Sequence, residues 1–291
     1  MSKKITVSVC ICTRNRPENL KKALDSLEQS TYPIHETIVS DDSTNSDTEA
    51  LIHAEYPSVK YLPGPRQGLG ANRNNALKAV TGSHVLFLDD DAVLGETFLE
   101  TVFAYLENYV KESGDEIDKI IVTGTQTDDG HVIFPGKQDF LGFQKIPYQE
   151  NEEMETVVII STVFPAGVFQ KVLFDEKLVY GCDEVDFTTR ALKQGFKIKL
   201  CSEAVNHHFG SDINRDFYKP YHEASRIYVT FKRYLSTEQK VLKAWVYLVI
   251  ASLHTTAHSL KAAGMQGILK TIQTLRLVSS YLSLEYFPEG K

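Results

Sequence analysis

Tryptophan occurs once, methionine three times and cysteine four times in this chain of 291 residues. Cys10, Cys12, Cys182 and Cys201 lack the paired spacing of a zinc site, and two of them lie one residue apart on a presumed strand. Neither a zinc-organised nor a disulfide-stapled scaffold fits that pattern, and reduced thiols in a cytoplasmic protein are expected. No apolar run approaches the roughly 20 residues of a membrane-spanning helix. Internal repeats and low-complexity segments are absent, which excludes solenoids and disordered linkers. Residues 1–4 run directly into the strand-like 5–13 with no small-residue cleavage site, so the chain is expected to start inside its fold rather than with a secretory leader.

With 42% hydrophobic and 24% charged residues, the chain can bury one large core, or one core plus a helical appendage. The net charge of -7 is unevenly spread. Residues 217–291 hold ten Lys or Arg against four Glu, giving +6 and leaving -13 for residues 1–216. A basic tail on an acidic body fits contact with an anionic lipid surface or partner, and solvated helix faces are the plainer alternative. Nucleic acid is not expected as a partner.

Strand-like runs at 5–13, 36–40, 59–62, 84–88 and 119–124 alternate with helical periodicity, which predicts βαβ units around a mostly parallel sheet. Leu20, Ala23, Leu24 and Leu27 form one apolar stripe behind Pro17, a residue the first helical turn tolerates. Further helices are predicted at about 71–80, closed by Gly82, and at about 96–110. Residues 125–165 lose periodicity and carry Gly130, Pro135, Gly136, Gly142 and Pro147, so loops and short strands are expected there, a place to build an acceptor site. A helix from Asp183 to Gly195 and a strand over 196–201 follow. Helices dominate after Asn214, including the apolar 241–253 with Trp245, which suits a buried or interfacial helix.

Carboxylates gather at strand ends. Phe87-Leu88-Asp89-Asp90-Asp91 closes a buried strand, and Asp89 with Asp91, at i and i+2, can approach one hard cation such as Mg2+ or Mn2+. Three adjacent like charges are costly without a counter-ion, although an acidic turn in water has the same sequence. Thr13-Arg14-Asn15-Arg16 and Asp41-Asp42-Ser43 close the first two strands, where polar groups can meet a base or ribose or simply cap a helix. Gly68-Leu69-Gly70-Ala71-Asn72-Arg73 places an arginine just inside a helix start, a combination that favours an anion. Asp183 and Glu184 open a late helix, where capping and general-base roles both fit. His207 and His208 follow the last strand as metal ligands or as surface residues.

Together these segments resemble the family 2 glycosyltransferases, of the rhamnosyltransferase-like type that builds bacterial surface polysaccharides. The resemblance runs over about residues 5–210, through 7–17, Ile38 to Ser43, Gly70 to Asn75, Leu86 to Asp91, Phe174-Asp175-Glu176 and 181–190. It implies a GT-A nucleotide-binding α/β fold over 1–215 and a C-terminal helical extension of membrane-associated type over 216–291. It further implies Asp41 or Asp42 at the nucleotide base, with Thr13, Asn15, Arg73, Asp89 and Asp90 also on the nucleotide-sugar. Asp89 and Asp91 would hold Mn2+ or Mg2+, joined by His207 or His208. The family's usual Glu-Asp order is reversed here, leaving the catalytic base between Glu184 and Asp183. The expected reaction is inverting transfer from a UDP-, dTDP- or GDP-linked sugar to a glycan or lipid-linked acceptor, on the inner face of a membrane. Two rivals stand beside it. A sugar nucleotidyltransferase would want a Gly-rich loop after the first strand, and 13–17 has no glycine; a binding module without turnover would retain the fold.

Overall fold

The computed structural model describes residues 5–150, 152–210 and 215–286. The leader-free start expected at 1–4 and the change of character at 211–214 lie outside the described residues. In chain order the elements are β1 (Val7–Thr13), α1 (Pro17–Leu27), β2 (Glu36–Asp41), α2 (Asp47–Glu55), β3 (Lys60–Pro63), α3 (Leu69–Leu77), β4 (His84–Asp89) and β5 (Ala92–Val93). Then come α4 (Phe98–Ser113), β6 (Ile120–Asp128), β7 (His131–Ile133), β8 (Gly136–Gln138), β9 (Gln144–Pro147) and β10 (Thr162–Pro165). The chain continues through α5 (Asp183–Lys193), β11 (Lys197–His208), α6 (Arg215–Lys232), α7 (Val241–Ala263) and α8 (Met265–Tyr286).

The main sheet runs β3-β2-β1-β4-β10-β6-β11-β5, with β7 paired to β6. Its first four strands are mutually parallel, β10 is antiparallel to both neighbours, and β11 is parallel to β6. All seven residues of β1 are buried, because the strand is covered on both faces. Val7, Val9 and Ile11 join a core under α1 and α4, whereas Cys10 joins Phe87, Phe164 and Phe187 on the opposite face. The predicted stripe of α1 is the one buried: Leu20, Ala23, Leu24 and Leu27 pack into the first of these cores. All four cysteines are free and buried.

Register places the acidic strand ends side by side. Thr13 pairs with Asp41 across β1 and β2, and Cys12 pairs with Asp89 across β1 and β4. Because the chain leaves β1 towards β2 on one side and returns to β4 on the other, the strand order reverses here, and a crevice opens beyond the carboxyl ends.

Two expectations are corrected. Strand β11 does not stop at Cys201 but continues, through an irregularity between Leu200 and Val205, to His208. The two histidines therefore sit on the strand rather than after it. The helix predicted over 241–253 extends to Ala263. Helices α6 to α8 pack on the body through a third core, in which Leu178, Cys182 and Val185 meet Tyr228, Tyr247 and Tyr281. Lys232 Nζ adds ion pairs to Asp175 (2.8 Å) and Asp186 (3.0 Å). Among the described residues, no helix is long and apolar enough to cross a membrane.

Candidate functional site

A cleft of about 300 Å³ lies beyond the ends of β1, β2 and β4, and Thr13, Asp42, Asp89, Asp90, Asp91 and His208 all line it. Thr13 Oγ1 donates to Asp90 Oδ2 at 2.7 Å, and Arg16 Nη1 binds Asp90 Oδ1 (3.0 Å) and Asp91 Oδ2 (3.3 Å). Burial raises the Asp90 carboxyl to about 6 against the pull of Arg16. Asp90 is thus the carboxylate turned inward, bracing the loop.

His208 reaches Asp91 by long-range pairing. Strand β5, immediately after Asp91, pairs antiparallel with the end of β11, His208 opposite Ala92, and Phe209 N donates to Asp91 O at 2.9 Å. His208 Nε2 consequently lies 3.5 Å from Asp91 Oδ1. A hydrogen bond to that carboxylate raises the imidazole to about 9, and Asp91 falls below its usual range because its partners outweigh its burial. On the other side, His208 Nδ1 is buried without a hydrogen bond, 3.5 Å from Asp128 Oδ2. His207, one residue earlier and so on the opposite face of the strand, is exposed and shares a hydrogen bond with Thr127 Oγ1 at 2.7 Å.

Arg73 takes a different place from the one its helix start predicts. Only 2% exposed, it does not line the cleft; its guanidinium bridges Asp183 and Asp89 (3.1 Å) over the rings of Phe87 and Phe174. It is a buried carboxylate clamp that acts on the cleft through Asp89. The start of α3 is also closed to an anion. Leu69 N donates to Val179 O at 2.9 Å, Gly70 N to Leu178 O at 3.4 Å, and Gly68, at φ +112°, allows that approach. Asp42 lines the cleft and accepts from Arg66 N at 2.8 Å; burial raises its pKa. Asp41 stands behind it, accepting from Ser43 N and the Tyr61 hydroxyl. Asn15, at φ +56°, braces the loop by accepting from Thr44 N at 2.9 Å. Neither Asp41 nor Asn15 lines the cleft.

Asp183 is 1% exposed and is neutralised by Arg73, so it is already committed as an ion-pair partner. Glu184, half-buried on the same turn, has only the amide of Gln144 (3.2 Å) as a side-chain partner. Burial first, and the Asp183 charge second, raise its pKa to about 7. A carboxylate so poised can take a proton from an alcohol near neutral pH.

Asp89, Asp91 and His208 offer two carboxylates and an imidazole on one wall, a donor set suited to Mn2+ or Mg2+. Among the described residues, no three His, Cys, Asp or Glu side chains are already gathered round a single ion position, because Arg16, Arg73 and His208 occupy the carboxylates. The third-exposed Asp89 carboxylate, with the His208 Nε2 facing Asp91, leaves the set open to an ion. Sequence reasoning did not single out Arg16 or the aromatic wall of the cleft. Tyr180 stacks on Tyr218 with centroids 4.6 Å apart, and Tyr221 stands beside them. Two of these tyrosines come from α6, and no motif announces them.

A mostly parallel sheet with an antiparallel insert and a cleft at its strand ends has the form of a GT-A glycosyltransferase fold. The chain is similar in structure to S. aureus TarS, with TM-score 0.54 and 18% identity, covering 95% of this chain and 55% of that one. Against TarS 1–349 in complex with UDP the TM-score is 0.53 and the identity 18%, covering 97% and 93%. The family profile for glycosyl transferase family 2 matches residues 8–164, more than half of the sequence, and the chain belongs to that family.

Among curated relatives, a Campylobacter jejuni GalNAc(5)-diNAcBac-PP-undecaprenol β-1,3-glucosyltransferase is 35% identical over 101 residues, 33% of either chain. The Staphylococcus aureus poly(ribitol-phosphate) β-N-acetylglucosaminyltransferase TarP is 31% identical over 117 residues, 38% of this chain and 35% of that one. Glycosyltransferase AglE of Haloferax volcanii is 24% identical over 232 residues, 72% and 70%. The chain spans about a third of the length of the first two.

Proposed function

We propose that this chain is an inverting, metal-dependent hexosyltransferase that moves a sugar from a nucleoside diphosphate to an acceptor hydroxyl in bacterial glycan synthesis. One observation carries the reading: the cleft gathers Asp42, Asp89, Asp91 and His208 at strand ends, while Glu184, next to the Arg73-bound Asp183, accepts from the Gln144 amide. Asp42 meets the nucleoside, and Tyr180 and Tyr218 supply a flat wall. Asp89, Asp91 and His208 would hold Mn2+ or Mg2+, which when bound supplies positive charge to offset that developing on the diphosphate. Arg73 and Arg16 fix the carboxylates in place. Of UDP, dTDP and GDP donors, the first is favoured by the UDP complex of the similarly folded TarS.

In the reaction, Glu184 accepts the acceptor hydroxyl's proton as that oxygen bonds to the anomeric carbon. The bond to the diphosphate oxygen breaks on the opposite face, the electron pair leaves with the nucleoside diphosphate, and the configuration inverts. Positioning the two reactants supplies most of the acceleration. Residues 1–215 form the donor-binding domain and 216–291 the helical region. The charge of +6 over 217–291 and the exposed Leu242, Trp245, Val249 and Leu253 of α7 support peripheral attachment to the inner face of a membrane, where a lipid-linked or glycan acceptor is met.

The test replaces Asp91 by Ala and Glu184 by Gln separately and measures sugar transfer alongside nucleotide binding. Asp91→Ala is expected to lose both, and Glu184→Gln to lose transfer alone; full transfer by either variant defeats the assignment of that residue. Flotation with anionic liposomes at low salt tests the attachment, and protein left wholly at the bottom contradicts it.

A further inference from the structure

Strands β8 and β9 form a small sheet of their own, and all four residues of β9 are exposed. From this hairpin Gln144 Nε2 donates to Glu184 Oε1 at 3.2 Å. The pairing slips by one residue beside Gln144: Lys137 faces Ile146, but Gln138 faces Gln144. A bulge of this kind re-aims a side chain.

The turn of the hairpin is gripped by the helical region. Arg226 Nη1 of α6 donates to Leu141 O, the Tyr234 hydroxyl to Phe140 O at 3.0 Å, and Arg233 Nη1 to Gln138 Oε1 at 2.6 Å. The Arg226 guanidinium also lies over the Phe143 ring, 4.2 Å from its centre. Gly142, at φ +85°, packs so close to α6 that a Cβ there would collide with Thr230. Arg226 is itself fixed by Glu223, with Nε 3.1 Å from Oε2, and Glu223 accepts from Thr255 Oγ1 of α7 at 2.6 Å. On its other side the hairpin borders a second and larger cavity, of about 920 Å³, lined also by α6, α7 and α8. Phe143 and Lys145, the two neighbours of Gln144, line that cavity. With open space beside the hairpin, its hold on α6 keeps Gln144 within reach of Glu184.

The charged surroundings of Glu184 are otherwise committed. Asp183 on its own turn opposes ionisation and Arg73 of α3 favours it, but these two are joined in a buried ion pair. Burial pushes the Cys182 thiol far above its usual range, so it stays neutral. The Gln144 amide is the neighbour that an exposed substitution can change.

We propose that Gln144 is a positioning residue for the base, that its amide fixes the orientation of the Glu184 carboxylate, and that α6 sets its place by gripping the hairpin turn. The inference rests on the sugar-transfer reading for the role of Glu184, and on the contacts of the hairpin alone for the positioning. Since the amide donates to the charged form, its loss makes Glu184 harder to ionise.

Two measurements on the full chain test this. Steady-state transfer gives kcat and donor KM against pH, and carbon-13 NMR of glutamate-labelled protein follows the Glu184 carboxyl, assigned by the signal missing in Glu184→Gln. Position 144 is exposed, and an unchanged Tm shows that each variant is folded. Gln144→Leu should raise the Glu184 midpoint by about half a pH unit or more. It should also lower the alkaline plateau of kcat roughly threefold or more while donor KM stays within about twofold. Gln144→Glu should raise the midpoint further through like charge, and Gln144→Lys should bring it below the wild-type value. A merely structural loss would not produce that order. The double variant Arg233→Gln/Tyr234→Phe, which frees Gln138 and Phe140 from α6, should shift the midpoint upward and add nothing to Gln144→Leu. A wild-type midpoint in that double variant overturns the part assigned to α6, and midpoints unmoved by Leu, Glu and Lys at position 144 overturn the whole. Midpoints in the expected order in a chain that transfers no sugar would sink the transfer reading and leave the contact standing; transfer with all the midpoints alike would do the reverse.

Discussion

The two cavities are built on opposite plans. In the cleft at the strand ends the three carboxylates at the end of β4 each have a side-chain partner: Asp90 has Thr13 and Arg16, Asp89 has Arg73, and Asp91 has Arg16 and His208. The second cavity draws its lining from separate helices and a hairpin, with Lys145, His254 and Lys270 brought together from three different elements. The first plan gives accurate placement of a small polar ligand, and substitution inside it disturbs a network. The second is built partly from exposed side chains such as Lys270, which can be changed singly at little cost.

Removal of the base should give the largest effect. Glu184→Gln is expected to lower kcat by roughly 10²–10⁴-fold with donor KM nearly unchanged, as read by steady-state sugar transfer. Because Glu184 is raised to about 7, wild-type kcat should climb about tenfold per pH unit below that value and level off above it. A flat profile from pH 5 to 8 would remove the base from this residue.

Next in size is the buried clamp. Arg73→Met leaves Asp183 and Asp89 without their cation, and roughly 3–5 kcal/mol of stability should be lost in urea denaturation. Lys270→Ala, in the exposed wall of the second cavity, should stay within about 0.5 kcal/mol. Similar losses from both would erase the contrast between a fixed and a tolerant site.

The adjacent histidines offer a finer comparison. His208→Ala is expected to weaken manganese-dependent nucleotide binding on the order of tenfold, and His207→Ala to leave it unchanged, measured by calorimetry. In the metal-free protein, the His208 imidazolium is held by Asp91, so its folded pKa of about 9 exceeds the ordinary value. Its stabilising contribution is therefore complete below pH about 6.5 and is lost as pH rises through 9. Denaturation at pH 6 and pH 9 should show the wild type losing on the order of 2 kcal/mol more than His208→Ala over that interval.

Much of the fold was legible because its signals are local. The buried run of β1, the stripe of α1 and the acidic ends of β2 and β4 can be read from neighbouring residues. Helix α2 was not anticipated, since only Thr48 and Ile52 of it are buried and it carries no apolar stripe. The length of β11 was hidden by Ser202 and Glu203 at the irregularity, and α7 outruns its apolar half because its polar half lines a cavity. In the site, the contact of His208 with Asp91 depends on a two-residue strand meeting another more than a hundred positions away, which no local pattern carries. The burial of Arg73 is likewise tertiary: its position is evident from the Gly-rich start of α3, but the rings and carboxylates that enclose it are distant in sequence.

The central claim, that Asp89 and Asp91 serve a nucleoside diphosphate, is tested most directly by thermal shift. Wild type and Asp91→Ala would each be screened against UDP-, dTDP- and GDP-linked sugars, with and without manganese. At a hundredfold excess over Kd, one donor class should raise the wild-type Tm by roughly 5 °C with manganese present, and should leave Asp91→Ala unmoved. An equal rise in both proteins, or none in the wild type with any of the three classes, would contradict the account.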